Sequence, residues 1–282
     1  MRGKTCLVTG ASSGIGAATA LGLSRLGARV GLVGRDRSRT EAGAAGIRAE
    51  TGGAVDVFVA DLSSQAEIRR LAAEVLALYP HLDVLVNNAG AIFDKRTLTV
   101  DGRERTWALD HLAYVQLTLA LLDRLKASAP ARIVNLSSAA HTRGRIVLDD
   151  LDAARSFGGM KTYSQAKLGN VLFTYALARR LEGSGVTVNA VHPGVVSSGF
   201  ATNTGGGLGF FWSLIRPFLI STEDGARTSL HVAAAPELDG VTGRYFARSR
   251  ETASSALSHD RALQERVWEA SLRQLGLADS PK

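Results

Sequence analysis

The chain predicts an α/β fold with one doubly wound domain, in which helices cover both faces of a parallel sheet. Short runs rich in valine, isoleucine and leucine alternate with longer segments that place apolar residues at three- and four-residue spacing. Continuous apolar strands are typical of a parallel sheet buried on both faces. No linker rich in proline, glycine or serine divides the 282 residues, so we expect a single domain over residues 1–282.

The elements follow one another in the order that parallel winding requires. Six apolar runs predict buried strands at 5–9, 29–34, 55–60, 84–87, 133–137 and 186–192. Amphipathic patterns between them predict helices at 15–26, 65–79, 102–126 and 163–182, and a last helix is predicted at 260–275. The stretch 197–221 contains a glycine cluster followed by an apolar tract, which indicates a mobile lid over a substrate.

Composition and charge exclude several classes of function. The single cysteine, Cys6, cannot form an intramolecular disulfide, and the six histidines are scattered, so we expect no metal site. A net charge of +7 is compatible with nucleic-acid binding, but acidic residues interleave with the basic ones and no stripe combines aromatic and basic side chains. We therefore expect no nucleic-acid partner. The first residues do not have the pattern of a secretory leader, and the expected location is cytoplasmic.

Glycines and serines come directly after the first predicted strand and open the first helix, as in a phosphate-binding turn. Glycine permits a tight turn and close approach of the main chain, while helix N-terminal amides favour an anion such as a pyrophosphate. A glycine turn without a ligand is the alternative. The residues of this turn that we expect to bind a dinucleotide are Gly10, Ser12, Ser13, Gly14, Ile15 and Gly16.

The end of the second predicted strand bears on which dinucleotide binds. An acidic residue in this region would hold both ribose hydroxyls of NAD, whereas this chain has Gly34 and Arg35. A guanidinium can contact a 2′-phosphate through two hydrogen bonds, and a small residue beside it leaves room. NADP(H) is therefore the expected cofactor. The alternative is that Arg35 is only a solvated surface residue.

Further nucleotide contacts are expected after the third and fourth predicted strands. Asp61 could accept from the adenine amino group while the Leu62 amide donates to the ring, although an aspartate there could instead cap a helix. Asn87, Ala89 and Gly90 end the fourth strand at the carboxyl edge of the sheet, where ligands of open α/β folds bind. A simple asparagine and glycine turn is the alternative.

Tyr163 and Lys167 are four residues apart and therefore on one face of a predicted helix. A nearby ammonium stabilises a phenolate and lowers its pKa from about 10, so Tyr163 could act as an acid or a base. Taken alone, the same spacing is common by chance and would indicate a surface pair. Its interpretation depends on the motifs that accompany it.

In their order along the chain, these motifs resemble the short-chain dehydrogenase/reductase family over approximately residues 3–250. The motifs are the glycine turn, Asn87-Asn88-Ala89-Gly90, Ser137-Ser138, the Tyr163 and Lys167 pair, and Pro193-Gly194. Within the family the chain is most similar to the retinol dehydrogenase group, through segments such as Leu136-Ser137-Ser138-Ala139-Ala140-His141 and Val191-His192-Pro193-Gly194-Val195-Val196. The resemblance implies a doubly wound Rossmann domain.

The resemblance also implies hydride transfer between a nicotinamide and a carbonyl carbon. Tyr163 would give its proton to the carbonyl oxygen, and Ser138 would hydrogen-bond the same oxygen. Lys167 would hold the nicotinamide ribose and lower the pKa of Tyr163, so both residues would also contact the cofactor. The residues implied to position the carboxamide end of the nicotinamide are Pro193, Val196 and Ser198.

One position departs from the family's pattern. On the helix before the fifth strand the family has an asparagine, and the matching residue here is Asp110, which the resemblance places with the catalytic residues. An ionised Asp110 near Lys167 would cancel part of the field at Tyr163 and make the tyrosine less acidic. Alternatively, Asp110 accepts main-chain or water hydrogen bonds as an asparagine would. For the neighbouring His111 we expect a structural role.

The apolar tract 208–220 suggests a class of substrate. Folded over the nicotinamide, it would form an apolar pocket for a lipophilic ketone or aldehyde, or for the matching alcohol. The tract is shorter than the roughly 20 residues that span a bilayer. Two alternatives to the pocket are that the tract contacts a membrane surface or that it contacts a second copy of the chain. The sequence therefore predicts an NADP(H)-dependent oxidoreductase, with a non-catalytic NADP(H)-binding sensor or scaffold as the alternative.

Overall fold

A computed structural model describes residues 1–194 and 221–277. Within them, eight strands form one sheet in the order β3-β2-β1-β4-β5-β6-β7-β8, and neighbouring strands are parallel except for β7 and β8. The strands are β1 (Thr5–Thr9), β2 (Arg29–Gly34), β3 (Val55–Val59), β4 (Val84–Asn87), β5 (Ala131–Leu136), β6 (Val186–His192), β7 (Tyr245–Ala247) and β8 (Arg250–Glu251). The doubly wound parallel fold class that the sequence predicted is confirmed.

Helices cover both faces of this sheet. They are α1 (Gly14–Arg25), α2 (Arg37–Thr51), α3 (Gln65–Leu78), α4 (Arg105–Trp107), α5 (Ala113–Ala127), α6 (Gly159–Arg180), α7 (Thr222–Ala234) and α8 (Arg261–Gln274). A π-helical turn, Ala108–Leu112, joins α4 to α5, and a 3-10 turn, Ala139–Arg143, follows β5. Within the described ranges no helix combines the length and the hydrophobicity that crossing a bilayer requires.

Alternate residues of the strands enter two separate cores. Leu7 of β1 packs in the core formed with α3, α5, α6 and α8, whereas Cys6 and Val8 pack in the core formed with α1, α2 and α7. All five side chains of β1 and all four of β4 are buried. This two-sided burial explains why the strands read as unbroken apolar runs rather than as alternating ones.

The order of the strands creates the crevice in which the site lies. β1 pairs with β2 on one side and with β4 on the other. The strands β2 and β3 therefore extend the sheet on one side of β1, and the strands from β4 onward extend it on the other side. The carboxyl ends of strands at such a switch point leave an open crevice between the following loops. The loops after β1, β4 and β5 meet there.

The predicted elements differ from the structure in specific places. The helix α2 and the segments β7, β8 and α7 were not predicted, and α6 begins at Gly159 rather than at 163. The signal for α2 was weak because only Thr40, Ala44 and Ile47 of its residues are buried. The C-terminal helix is confirmed as α8. The predicted lid, 197–221, lies outside the described residues except for Ser221, whose hydroxyl caps the first turn of α7.

Candidate active site

The glycine turn after β1 is packed against the loop after β4. Gly10 and Gly14 have φ values of +65° and +60°, which favour glycine. A Cβ added to Gly10 would lie 2.8 Å from the Cα of Ala89, and one added to Gly16 would lie 2.3 Å from the carbonyl oxygen of Gly10. The side chain of Asn88 fastens the two loops by donating to the Thr9 carbonyl at 2.7 Å. The glycines therefore allow two main-chain segments to line the crevice together.

The N-terminus of α1 differs from those of the neighbouring helices. Its N-cap residue, Ser13, makes no side-chain hydrogen bond to the helix, and the first turn has no acidic residue. In contrast, Asp36 caps α2 and Ser64 caps α3 through their side chains. The first amides of α1 are thus left for another acceptor, and together with the helix dipole they suit an anion such as a pyrophosphate. The residues of the turn fit a dinucleotide.

Arg35 lies at the end of β2, beside this turn. Its side chain is exposed and forms no hydrogen bond or ion pair with any of the described residues, unlike Arg37, which lies 3.9 Å from Glu41. Gly34 has a role in packing that the sequence argument did not include. A Cβ there would lie 2.1 Å from the Thr40 hydroxyl oxygen, so packing of α2 requires this glycine whether or not a phosphate binds.

The polar side chains after β3 and β4 form hydrogen bonds within the protein, and that of Asn87 ties neighbouring strands together. The Asp61 carboxylate accepts from the amide and hydroxyl of Ser63, at 2.9 and 2.7 Å, while Ser64 rather than Asp61 caps α3. Leu62 is buried.

The side chain of Asn87, at the end of β4, is also used inside the protein. Its amide donates at 2.8 Å to both Thr118 and Asn135 in the interior. Its side chain is therefore committed to the core, and only its main chain could contact a nucleotide.

The four residues expected to perform chemistry meet at the end of the crevice. Ser138 follows β5 and hydrogen-bonds Tyr163 of α6. One turn further along α6, the Lys167 ammonium lies 5.4 Å from the centroid of the Tyr163 ring. The same ammonium lies 3.2 Å from Oδ2 of Asp110, with side-chain exposures of 3% and 0%. The spacing in the sequence thus brings the phenol and the amine together, and the fold adds the carboxylate.

The electrostatics of the site favour a protonated tyrosine. Burial raises the pKa of Tyr163, the charge of Asp110 raises it further, and the hydrogen bond from Ser138 acts in the opposite direction. Burial also raises the pKa of Asp110, against the effects of Lys167 and of the Ala91 amide. The direction of the Asp110 effect on Tyr163 agrees with the sequence hypothesis that this carboxylate makes the tyrosine less acidic. The net rise is opposite to the lowering that the sequence analysis expected from Lys167, because burial has the largest effect.

The π-helical turn holds Asp110 in place. Its Oδ1 accepts from the Ala91 amide at 2.8 Å, so the carboxylate also anchors the loop after β4. A Cβ added to Gly90 would lie 2.8 Å from Oδ2 of Asp110 and 3.1 Å from Nζ of Lys167. A glycine at this position therefore lets the loop lie directly on the ion pair. Irregular π-turns of this kind occur frequently at functional sites.

Sequence reasoning assigned no role to Asn170, which connects the elements behind the site. Its Nδ2 donates to the main-chain oxygens of Asp110 and Leu136, at 2.8 and 3.0 Å. Its Oδ1 must then face His111, whose Nδ1 donates to it at 3.0 Å, while Nε2 contacts the Ser271 hydroxyl of α8 at 2.9 Å. Burial lowers the pKa of His111 to about 4, in agreement with the structural role expected for it.

His141 is a second such connection, behind Ser138. Its Nδ1 donates to the Ser138 carbonyl at 2.7 Å, and its Nε2 accepts from the Ser255 amide at 3.0 Å. Because one ring nitrogen donates and the other accepts, the neutral ring fits both bonds. In the sequence, His141 stood out only as the last residue of a motif.

Three residues were expected to position the carboxamide end of the nicotinamide. Pro193 follows β6, whereas Val196 and Ser198 lie outside the described residues.

Comparison with known sequences shows extensive similarity along the chain. A family model described as short chain dehydrogenase matches residues 4–207. Retinol dehydrogenase 12 of Mus musculus is 43% identical over 276 aligned positions, covering 98% of this chain and 87% of that protein. Retinol dehydrogenase 13 of Homo sapiens is 43% identical over 286 aligned positions, covering 98% and 85%.

Solved structures share the same architecture. An uncharacterised protein from Mycobacterium paratuberculosis gives a TM-score of 0.80 at 33% identity, over 98% of this chain and 94% of that one. A short chain dehydrogenase from Burkholderia cenocepacia, solved in complex with NADP, gives a TM-score of 0.71 at 30% identity, over 87% and 96%. The whole sheet and its helices are therefore an arrangement that occurs in other proteins.

Proposed function

The chain belongs to the short-chain dehydrogenase family, and from this premise we propose that it reduces a lipophilic ketone or aldehyde with NADPH, or oxidises the matching alcohol with NADP+. The resemblance to this family and to its retinol dehydrogenases is confirmed by the family match and by the relatives. The observation that supports the proposal most strongly is the buried Tyr163, hydrogen-bonded to Ser138 and one helical turn before Lys167, at the same crevice as the glycine turn.

In the proposed reaction, a bound NADPH supplies the hydride for the carbonyl carbon. Tyr163 donates its proton to the carbonyl oxygen, and Ser138 donates a hydrogen bond to the same oxygen. Lys167 holds the ribose near the nicotinamide and places a positive charge beside the phenolate that Tyr163 becomes. The raised pKa of Tyr163 keeps the phenol protonated near neutral pH, which is the protonation state from which carbonyl reduction begins.

The preference for NADP(H) over NAD(H) rests on Arg35. An exposed guanidinium with no partner among the described residues, next to the turn that fits a pyrophosphate, is suited to a 2′-phosphate. In the turn itself, the α1 amides would bind the pyrophosphate, and the main chain at 87–90 would lie along the ribose. Asp61, with Leu62, would contact the adenine.

A lipophilic substrate is proposed from the relatives and from the composition of one segment. The curated relatives named above are retinol dehydrogenases, and retinol is a long apolar alcohol whose oxidation gives an aldehyde. The tract 208–220 supplies phenylalanine, tryptophan and leucine side chains of the kind that line apolar pockets. The proposed substrates are accordingly retinoid-like or other apolar carbonyl compounds.

The test is NADPH consumption by the purified protein across a panel of apolar aldehydes and ketones, including a retinoid aldehyde. We expect turnover with at least one of them, faster with NADPH than with NADH, and no turnover in Tyr163→Phe. NADPH affinity, measured by fluorescence, should change by less than about tenfold in that variant, because only the single hydrogen bond of the phenol hydroxyl to the cofactor is lost. Binding of NADPH without consumption over the whole panel would instead favour a sensor or scaffold.

A further inference from the structure

Tyr114 is an aromatic residue of the site to which no role has been given so far. It lies in the first turn of α5, four residues after Asp110, and its side chain is 1% exposed. The Lys167 ammonium lies over its ring, 5.3 Å from the centroid, and over the Tyr163 ring at 5.4 Å. One buried ammonium is thus in contact range of two phenol rings and one carboxylate.

The hydroxyl of Tyr114, unlike its ring, makes no recorded contact with Lys167 or with Asp110. It is buried and has no hydrogen-bond partner among the described residues. Burial, Asp110 and Tyr163 all raise its pKa, so the phenol is neutral. A buried donor without a partner destabilises a folded protein, and phenylalanine would fill the same space without that penalty.

We propose that Tyr114 is a positioning residue for Lys167, and that its ring rather than its hydroxyl performs this role. The proposal rests on the proposed oxidoreductase function, because Lys167 acts there on both the ribose and Tyr163. Tyr114 is thereby added to the four residues already placed at the site, which are Ser138, Tyr163, Lys167 and Asp110.

The physical reason is the need to hold a buried cation at one place. Asp110 attracts the ammonium from one side, and an ammonium free to move would turn toward that carboxylate and away from the ribose. The face of an aromatic ring attracts a cation, and the attraction is stronger where water is excluded. The groups that face Lys167 are then Asp110 from the π-turn, Tyr114 from α5, Tyr163 from α6 and the neutral His111 behind them.

Two substitutions separate the ring from the hydroxyl. Tyr114→Phe retains the ring, so we expect kcat and the Kd for NADPH within about twofold of the original values. Its Tm should rise by about 2 °C, because the unpartnered hydroxyl is gone. Tyr114→Leu removes the ring. In this variant we expect kcat to fall on the order of tenfold and the NADPH Kd to rise severalfold, with little change in KM for the carbonyl substrate.

A matched control accounts for the space that leucine leaves behind. Phe58 is a buried ring on the edge strand β3 that packs edge-on against Tyr79 at 5.6 Å, so Phe58→Leu creates a similar defect outside the set of groups that face Lys167. We expect a lower Tm in this control, with the original kcat and NADPH Kd. The comparison therefore separates general loss of packing from loss of contact with Lys167.

The proposal is overturned if Tyr114→Leu has the kinetics and NADPH affinity of Tyr114→Phe, or if Tyr114→Phe loses as much activity as Tyr114→Leu. Failure of the proposed function is a separate outcome. In that case the unsubstituted protein binds NADPH but turns over no carbonyl, and the Tm of the phenylalanine variant and the NADPH Kd of the leucine variant still decide the role of Tyr114.

Discussion

Replacing Asp110 by asparagine tests how the carboxylate controls the acidity of Tyr163. The substitution keeps an oxygen that can accept from the Ala91 amide, but it removes the charge that lies 3.2 Å from Lys167. Two opposite charges at that separation attract each other by about 5 kcal/mol at an effective dielectric constant of about 20, before the cost of desolvation. The removed charge is one of the groups that raise the pKa of Tyr163.

Removing a negative charge that raises the pKa of Tyr163 makes the phenolate easier to form, so we expect the pKa of Tyr163 to fall. Carbonyl reduction requires a protonated Tyr163, so its rate decreases as the pH rises through that pKa. A lower pKa therefore moves the alkaline limb of the kcat profile to lower pH. The measurement is kcat at saturating NADPH from pH 6 to about 10.5. Because the raised pKa of Tyr163 places the limb of the original protein near or above the end of this range, we expect kcat to decline within the range in the variant and to decline less in the original protein.

Asp56→Asn is the matched control, because Asp56 forms an ion pair with Arg29 at 2.7 Å outside the site. We expect the control to keep the original pH profile. Loss of the Asp110 charge leaves Lys167 buried without its counter-ion, a change that costs about 3 to 5 kcal/mol in other proteins, so folding is verified by circular dichroism at each pH. An alkaline limb that stays in place in folded Asp110→Asn would refute the reasoning.

Three further predictions concern the cofactor and the stability of the fold. Arg35→Ser should reduce kcat/KM for NADPH by about 10- to 100-fold and leave NADH nearly unaffected, whereas Arg37→Ser should change neither; equal losses with both cofactors would contradict this. Gly16→Ala places a Cβ 2.3 Å from a main-chain oxygen and should weaken NADPH binding at least tenfold in titrations, whereas Gly46→Ala, with open space around it, should not. His111 has its pKa lowered from 6.5 to about 4, so its contribution to stability, about 3 kcal/mol, is complete above pH 6.5 and is lost as the pH falls toward 4. Urea unfolding across that range should show a shallower pH dependence in His111→Gln, and an unchanged slope would count against the assignment.

Much of the fold could be predicted because the relevant forces act locally along the chain. Parallel strands buried on both faces must be apolar throughout, and for this reason the predicted bounds of β1, β2, β4 and β6 agree with the structure. The helix α2 was missed because a helix at the edge of a sheet needs only a narrow apolar face. The glycine turn and the four-residue spacing of Tyr163 and Lys167 are also local patterns, and they were sufficient to locate the candidate site.

The class of fold, the order of the motifs and the residue types available for chemistry could be predicted from the chain alone. Which side chains face one another depends on the tertiary structure, because those contacts join residues that are distant along the chain. The tertiary structure turned the side chain of Asn87 into the core, assigned Gly34 to the packing of α2, and brought Asp110 and Tyr114 to the same ammonium. No periodicity encodes such contacts, since each depends on how separate helices and loops pack around one sheet.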